Sequence, residues 1–87
     1  MAIIREVKSF ADIKVQIVST SPDLKVYVTK SKSEAKGRDE IWFFDDSFED
    51  QKIIFVKSFP DLKIEYVSSR SLARWVNKSH RLQNRIG

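Results

Sequence analysis

The residues best equipped for chemistry lie in one run, Trp75-Val76-Asn77-Lys78-Ser79-His80. His80 is the only histidine of the chain. Histidine changes charge near neutral pH, so it is the natural candidate for a general base. Ser79, Ser71 or Asp45 could stand beside it in a small hydrolase-like site. Nothing in their spacing brings a nucleophile, a base and an orienting group together, however. Trp75, Asn77, Lys78, Ser79 and His80 therefore read as a polar anchor or binding site, tying this part of the chain to the body. No catalytic residue is assigned, and the chain is not expected to be an enzyme.

The same region carries the charge. After Glu65 there is no acid, while Arg70, Arg74, Lys78, Arg81 and Arg85 follow at intervals of four, four, three and four. On a helix that spacing would make one basic stripe beside an aromatic residue, which is what a phosphate-tracking surface needs. Residues 39–50 are the counterweight, with six acids and no base. The two segments could satisfy each other, so nucleic-acid binding through the five bases stays the second reading. The net charge of +4 permits an acidic partner without requiring one. Within the acidic segment, Asp45, Asp46, Glu49 and Asp50 do not have the spacing of a calcium loop and read as a solvated turn. With two glycines there is no Gly-rich phosphate loop, and with no cysteine neither a disulfide framework nor a cysteine-type zinc site. No cofactor, metal or small-molecule ligand is predicted.

The elements that must position these groups are strands. Apolar residues alternate with polar ones, as in Ile13, Val15 and Ile17 around Lys14 and Gln16, and β-branched types dominate. Strands are predicted at 2–7, 12–19, 23–30, 40–45, 51–57 and 61–68. The joints combine turn formers in Ser9-Phe10-Ala11-Asp12, Ser21-Pro22-Asp23 and Phe59-Pro60-Asp61. Joints this short normally link neighbouring strands. A serine before Glu34-Ala35 or Leu72-Ala73 could cap a single helical turn.

The strands repeat. Residues 11–35 align without a gap on residues 49–73, with ten of 25 positions identical. Four Asp-x-Lys units recur with them, at Asp12/Lys14, Asp23/Lys25, Asp50/Lys52 and Asp61/Lys63. Residues two apart on a strand share a face, so each pair could bond within its strand or across to a neighbour, and a solvated outer face carrying ion pairs worth under about 1 kcal/mol each is expected. Units this short cannot bury an apolar face alone and must be wound against their copies. The chain of 87 residues is then one domain, 1–87, with no linker inside it. Its apolar runs are too short to span a membrane, and a cytoplasmic protein with no membrane partner is expected.

The ADLK-like units, the aromatic strand Ile41-Trp42-Phe43-Phe44 and the closing Ser71-Leu72-Ala73-Arg74-Trp75-Val76-Asn77-Lys78-Ser79-His80 resemble a small bacterial family, the 7(1) septoil knot domain. The resemblance covers roughly residues 8–82. The family usually has glycine where Arg74 stands and often alanine where Pro22 and Pro60 stand. The resemblance implies a mainly β domain with short helical turns, whose two halves are intertwined in a seven-crossing knot. Composition and spacing alone would give an antiparallel meander or small sandwich, or an α+β arrangement. No activity comes with the family. The expected role is a non-catalytic structural or protein-interaction module, and exposed strand edges with a duplicated sequence would allow a homodimer.

Overall fold

The structure is a computed structural model of the chain and describes residues 3–35, 38–45 and 51–86. Three strands, β1 (Ile3–Glu6), β2 (Ile13–Ile17) and β3 (Leu24–Val28), lead to one helical turn, α1 (Lys32–Ala35). Three more follow, β4 (Ile41–Phe44), β5 (Gln51–Phe55) and β6 (Leu62–Tyr66). A 3-10 turn (Arg70–Leu72) and a two-residue strand, β7 (Arg74–Trp75), complete the order. Each predicted strand occurs, shortened by two or three residues. β4, β5 and β6 begin 38 residues after β1, β2 and β3. The alternation that marks the strands also orients them, since Ile13, Val15, Leu62 and Ile64 are buried while Lys14 and Lys63 are exposed.

The strands close a barrel in the order β4-β1-β5-β2-β6-β3, with β3 pairing back onto β4. All six pairings are parallel. Among the described strands only β7 runs antiparallel, on β3. Mainly β architecture is thus correct, while the antiparallel meander is not, and short joints do not join neighbouring strands here. Neighbours in the barrel come alternately from the first three strands and the last three.

The registers explain how short links can do this. Parallel strands ordinarily need a crossover of about a dozen residues, because the chain must travel back along the strand. Here β1 leaves β5 at Glu6↔Ile53, and β2 joins the opposite edge of β5 at Ile13↔Ile53. The link 7–12 therefore steps over β5 at Ile53 and loses no height. In the same way 18–23 steps over β6 at Ile64, and 56–61 over β2 at Val15. Phe10 and Phe59 at the link tips are exposed, while Ile53, Ile64 and Val15 lie in the core, so the links run over the outer face. Each of the six barrel strands has two neighbours among the described strands.

The barrel is filled by Ile4, Ile13, Val15, Leu24, Val26, Trp42, Ile53, Leu62 and Ile64. Ile86 is buried with them, and Phe55, Trp75 and Leu82 pack against the group. Each such side chain contributes roughly 1.5–3 kcal/mol by leaving water. A smaller cluster of Ala35, Ile41 and Ala73 lies under α1 and the 3-10 turn. The C-terminal segment is thus a lid on the core, and its anchoring decides where the chemistry-bearing residues stand.

Candidate functional site

The Asp-x-Lys units are clasps between the two halves. Asp12 donates its backbone N–H to the carbonyl of Lys52 at 2.8 Å, and its Oδ2 accepts the Lys52 N–H at 3.0 Å. Asp23 holds Lys63 in the same two ways, at 2.8 and 3.0 Å. Asp61 holds Lys14 at 2.8 and 2.9 Å. In these three units the aspartate reaches across to the backbone of a neighbouring strand instead of pairing with the lysine of its own unit. The reason is that each aspartate ends a link and faces the strand that the link has just crossed. Bonds from a backbone donor to a carboxylate are charge-assisted, about 1.5–3 kcal/mol each. Asp50 lies outside the described residues.

On two of these clasps the closing segment is built. The Asp23 carbonyl accepts the N–H groups of Val76 at 2.8 Å and Asn77 at 3.0 Å. The Asn77 side chain accepts the N–H of Ser79 at 3.2 Å, and its carbonyl accepts that of His80 at 3.2 Å. His80 is then fixed at both nitrogens. Nδ1 accepts the Leu82 N–H at 3.1 Å, so Nε2 carries the proton and donates it to the Asp61 carbonyl at 3.0 Å. The Asp23 carboxylate lies 3.6 Å from Nε2. The Trp75 indole stacks on the imidazole, with ring centroids 5.6 Å apart.

Asp39 is the anchor that sequence reasoning missed. It is buried, and its Oδ2 accepts the Trp75 indole N–H at 3.0 Å and the backbone N–H of Asn84, while Oδ1 accepts that of Ile86 at 3.1 Å. Its carbonyl accepts the Trp42 indole N–H at 2.7 Å. In the sequence it is only the first acid of an acidic run, and nothing local marks it. The other acids of that run that bear on the solvated-turn reading, Asp46, Glu49 and Asp50, lie outside the described residues. Asp45 places its backbone N–H on the Ile4 carbonyl at 2.9 Å.

The five bases do not form one stripe, because residues 70–85 are not a helix. Arg70 begins the 3-10 turn, Arg74 is in β7, and Lys78, Arg81 and Arg85 are on successive turns. Arg81 pairs with Asp61 at 3.0 Å. Arg74 and Lys78 are exposed and flank a cleft of about 440 Å³ shared with Glu40, Trp75, Val76 and Gln83. Catalytic geometry does not assemble around His80 among the described residues. Ser71 shares a hydrogen bond with Ser69 at 2.8 Å, and Ser79 contributes its backbone rather than its hydroxyl. Among the described residues no three His, Asp or Glu groups are placed to hold a metal ion. Among the described residues no helix is long and apolar enough to cross a membrane.

A family model described as the 7(1) septoil knot domain matches residues 1–76. None of the curated proteins matches the chain.

Proposed function

Since the chain belongs to the septoil knot family, we propose that it acts as a compact, non-catalytic module whose outer surface serves interaction. The observation behind this reading is that the groups able to do chemistry are committed to holding the chain together. His80 has both ring nitrogens engaged by backbone atoms, and Asp12, Asp23, Asp39 and Asp61 accept backbone N–H groups. A base whose nitrogen already accepts a hydrogen bond must break it before taking a proton. A chain without cysteine suits the reducing cytoplasm, where this reading places it. The test compares the chain with His80→Ala on ester, phosphoester and peptide substrates, while unfolding is followed in urea. The expected result is no turnover by either protein and a lower unfolding midpoint for the variant. Turnover that disappears in a folded His80→Ala protein would overturn it.

A second reading, nucleic-acid binding, rests on the exposed Arg74 and Lys78 beside the Trp75 cleft. It expects affinity for unrelated oligonucleotides that falls steeply with salt. Charge reversal at Arg74 and Lys78 should then flatten the salt slope by about one unit for each phosphate no longer neutralised. Absence of binding at low salt removes this reading.

A further inference from the structure

Three links share one unusual backbone conformation, with positive φ at Phe10 (58°), Ser21 (50°) and Phe59 (54°). The left-handed region disfavours residues with a bulky side chain, and a turn that needs it normally takes Gly, Asn or Asp. Ser21 shows that the link can be built with a small polar residue. Phe10 and Phe59 return nothing to the core for their cost, since they are 94% and 90% exposed. Their rings are therefore not explained by the fold that carries them.

The two phenylalanine links share a further feature that the serine link lacks. Each has an exposed lysine two residues before the ring, Lys8 and Lys57, where the serine link has Ser19. No acid lies between Val7 and Ala11 or between Val56 and Pro60. The aspartates that follow, Asp12 and Asp61, turn their Oδ2 atoms onto the backbone of the crossed strands. The tips thus present an apolar ring beside an unopposed positive charge. Both links are tied down at each end, through Val7 and Asp12 to β5 and through Val56 and Asp61 to β2. A ring on so short a clamped link loses little freedom when it is bound. The crossed residues Ile53 and Val15 lie on adjacent strands two positions apart, so the tips stand on neighbouring ground.

We propose that the Phe10 and Phe59 tips, with Lys8 and Lys57, dock this protein peripherally on an anionic lipid bilayer. A ring at such a tip enters the boundary between headgroups and acyl chains, while the lysine stays at the level of the lipid phosphates. Pro60 beside Phe59 carries no N–H, so that position adds no backbone donor to be stripped of water. One ring on each link, rather than a continuous apolar face, fits shallow insertion better than a packed protein interface. Among the described residues no helix is long and apolar enough to cross a membrane, and this contact needs none.

The experiment is co-sedimentation of the full chain with vesicles of phosphatidylglycerol and phosphatidylcholine, against vesicles of phosphatidylcholine alone. The chain should sediment with the anionic vesicles and not with the neutral ones. The double variant Phe10→Ser and Phe59→Ser takes its substituent from Ser21, which already holds the same backbone, and should keep the fold. It should lower vesicle affinity about tenfold or more for each ring removed. Phe10→Trp should give a blue shift of its fluorescence when anionic vesicles are added. Equal sedimentation by the double serine variant would mean that general basic charge does the binding, and would overturn the proposal. So would an absence of sedimentation at low salt, or binding to a single-stranded oligonucleotide that the same variant abolishes while vesicle binding is unchanged. The nucleic-acid reading above fails or stands on Arg74 and Lys78, so the two outcomes are separable.

Discussion

In the barrel, the aspartate at the end of a link grips one lysine backbone, and the arrangement occurs three times among the described residues. In the closing segment, one buried carboxylate, Asp39, accepts from Trp75, Asn84 and Ile86 together. Repetition distributes the polar bonds of the barrel, so each clasp is backed by parallel ladders on both sides. The unrepeated segment has no ladder beyond β7, and its turns depend on a few side chains. The same kind of bond therefore has local weight in one region and collective weight in the other.

Asp39→Ala should have the largest effect. It leaves the buried Ile86 donor and the partly buried Trp75 and Asn84 donors without that acceptor, each worth about 1–3 kcal/mol, so unfolding in urea should show a loss of about 4 kcal/mol. The near-ultraviolet signal of Trp75 should change with it. A loss no greater than that of a single clasp variant would end the distinction between the regions. His80→Ala comes next, at about 2 kcal/mol, because it frees the Leu82 N–H and the Asp61 carbonyl and removes the ring stacked on Trp75. Amide exchange should rise from Val76 to Ile86 while the barrel amides stay protected; uniform loss of protection would count against a separately anchored segment.

Asp12→Ala should cost about 1.5 kcal/mol and speed exchange chiefly at the Lys52 amide. Spread of that change across β5 and β2 would show that the clasps are less redundant than the ladders suggest. The smallest effect concerns pH. Partial burial raises the Tyr66 phenol above its usual value of 10.0, with the Glu6 carboxylate adding to the rise. The neutral phenol is thus favoured in the folded chain. Its contribution is present below pH 10 and is lost as pH rises through the higher folded value. Tyr66→Phe should flatten the stability profile above pH 10 and leave it unchanged at pH 7. An unchanged alkaline profile would remove this contribution.

The strands were legible because a pleated strand buries every second residue, and Ile13, Val15, Leu24, Val26, Leu62 and Ile64 keep that period. Which strands are neighbours was not, since alternation marks the buried face and says nothing of the partner at either edge. Short links argued for adjacency, and only the stagger at Ile53, Ile64 and Val15 shows why they do not impose it. The Asp-x-Lys spacing was visible while its use was hidden. The ion-pair reading assumed that both residues stand on one strand, whereas Asp12, Asp23 and Asp61 belong to links. Of the closing segment, the residue types from Trp75 to His80 stood out. Asp39 did not, because the donors of Trp75, Asn84 and Ile86 come from positions 36 to 47 residues away. The strained backbone at Phe10 and Phe59 was equally hidden, since phenylalanine carries no preference for it.

The alternation of strands around the barrel also governs how the molecule can be made. Each barrel neighbour of β1, β2 and β3 comes from β4, β5 or β6. A nascent chain that has emerged as far as Val28 holds three strands with nothing to pair against, and its apolar faces stay in water until the second set appears. Biosynthesis of this domain is therefore not progressive, since its first half waits as an unstructured template. By the same geometry, two polypeptides parted between Val28 and Ile41 would each carry one strand of every barrel pairing. Mixed together, they have the complementarity to assemble as one body, whereas neither can form this barrel alone.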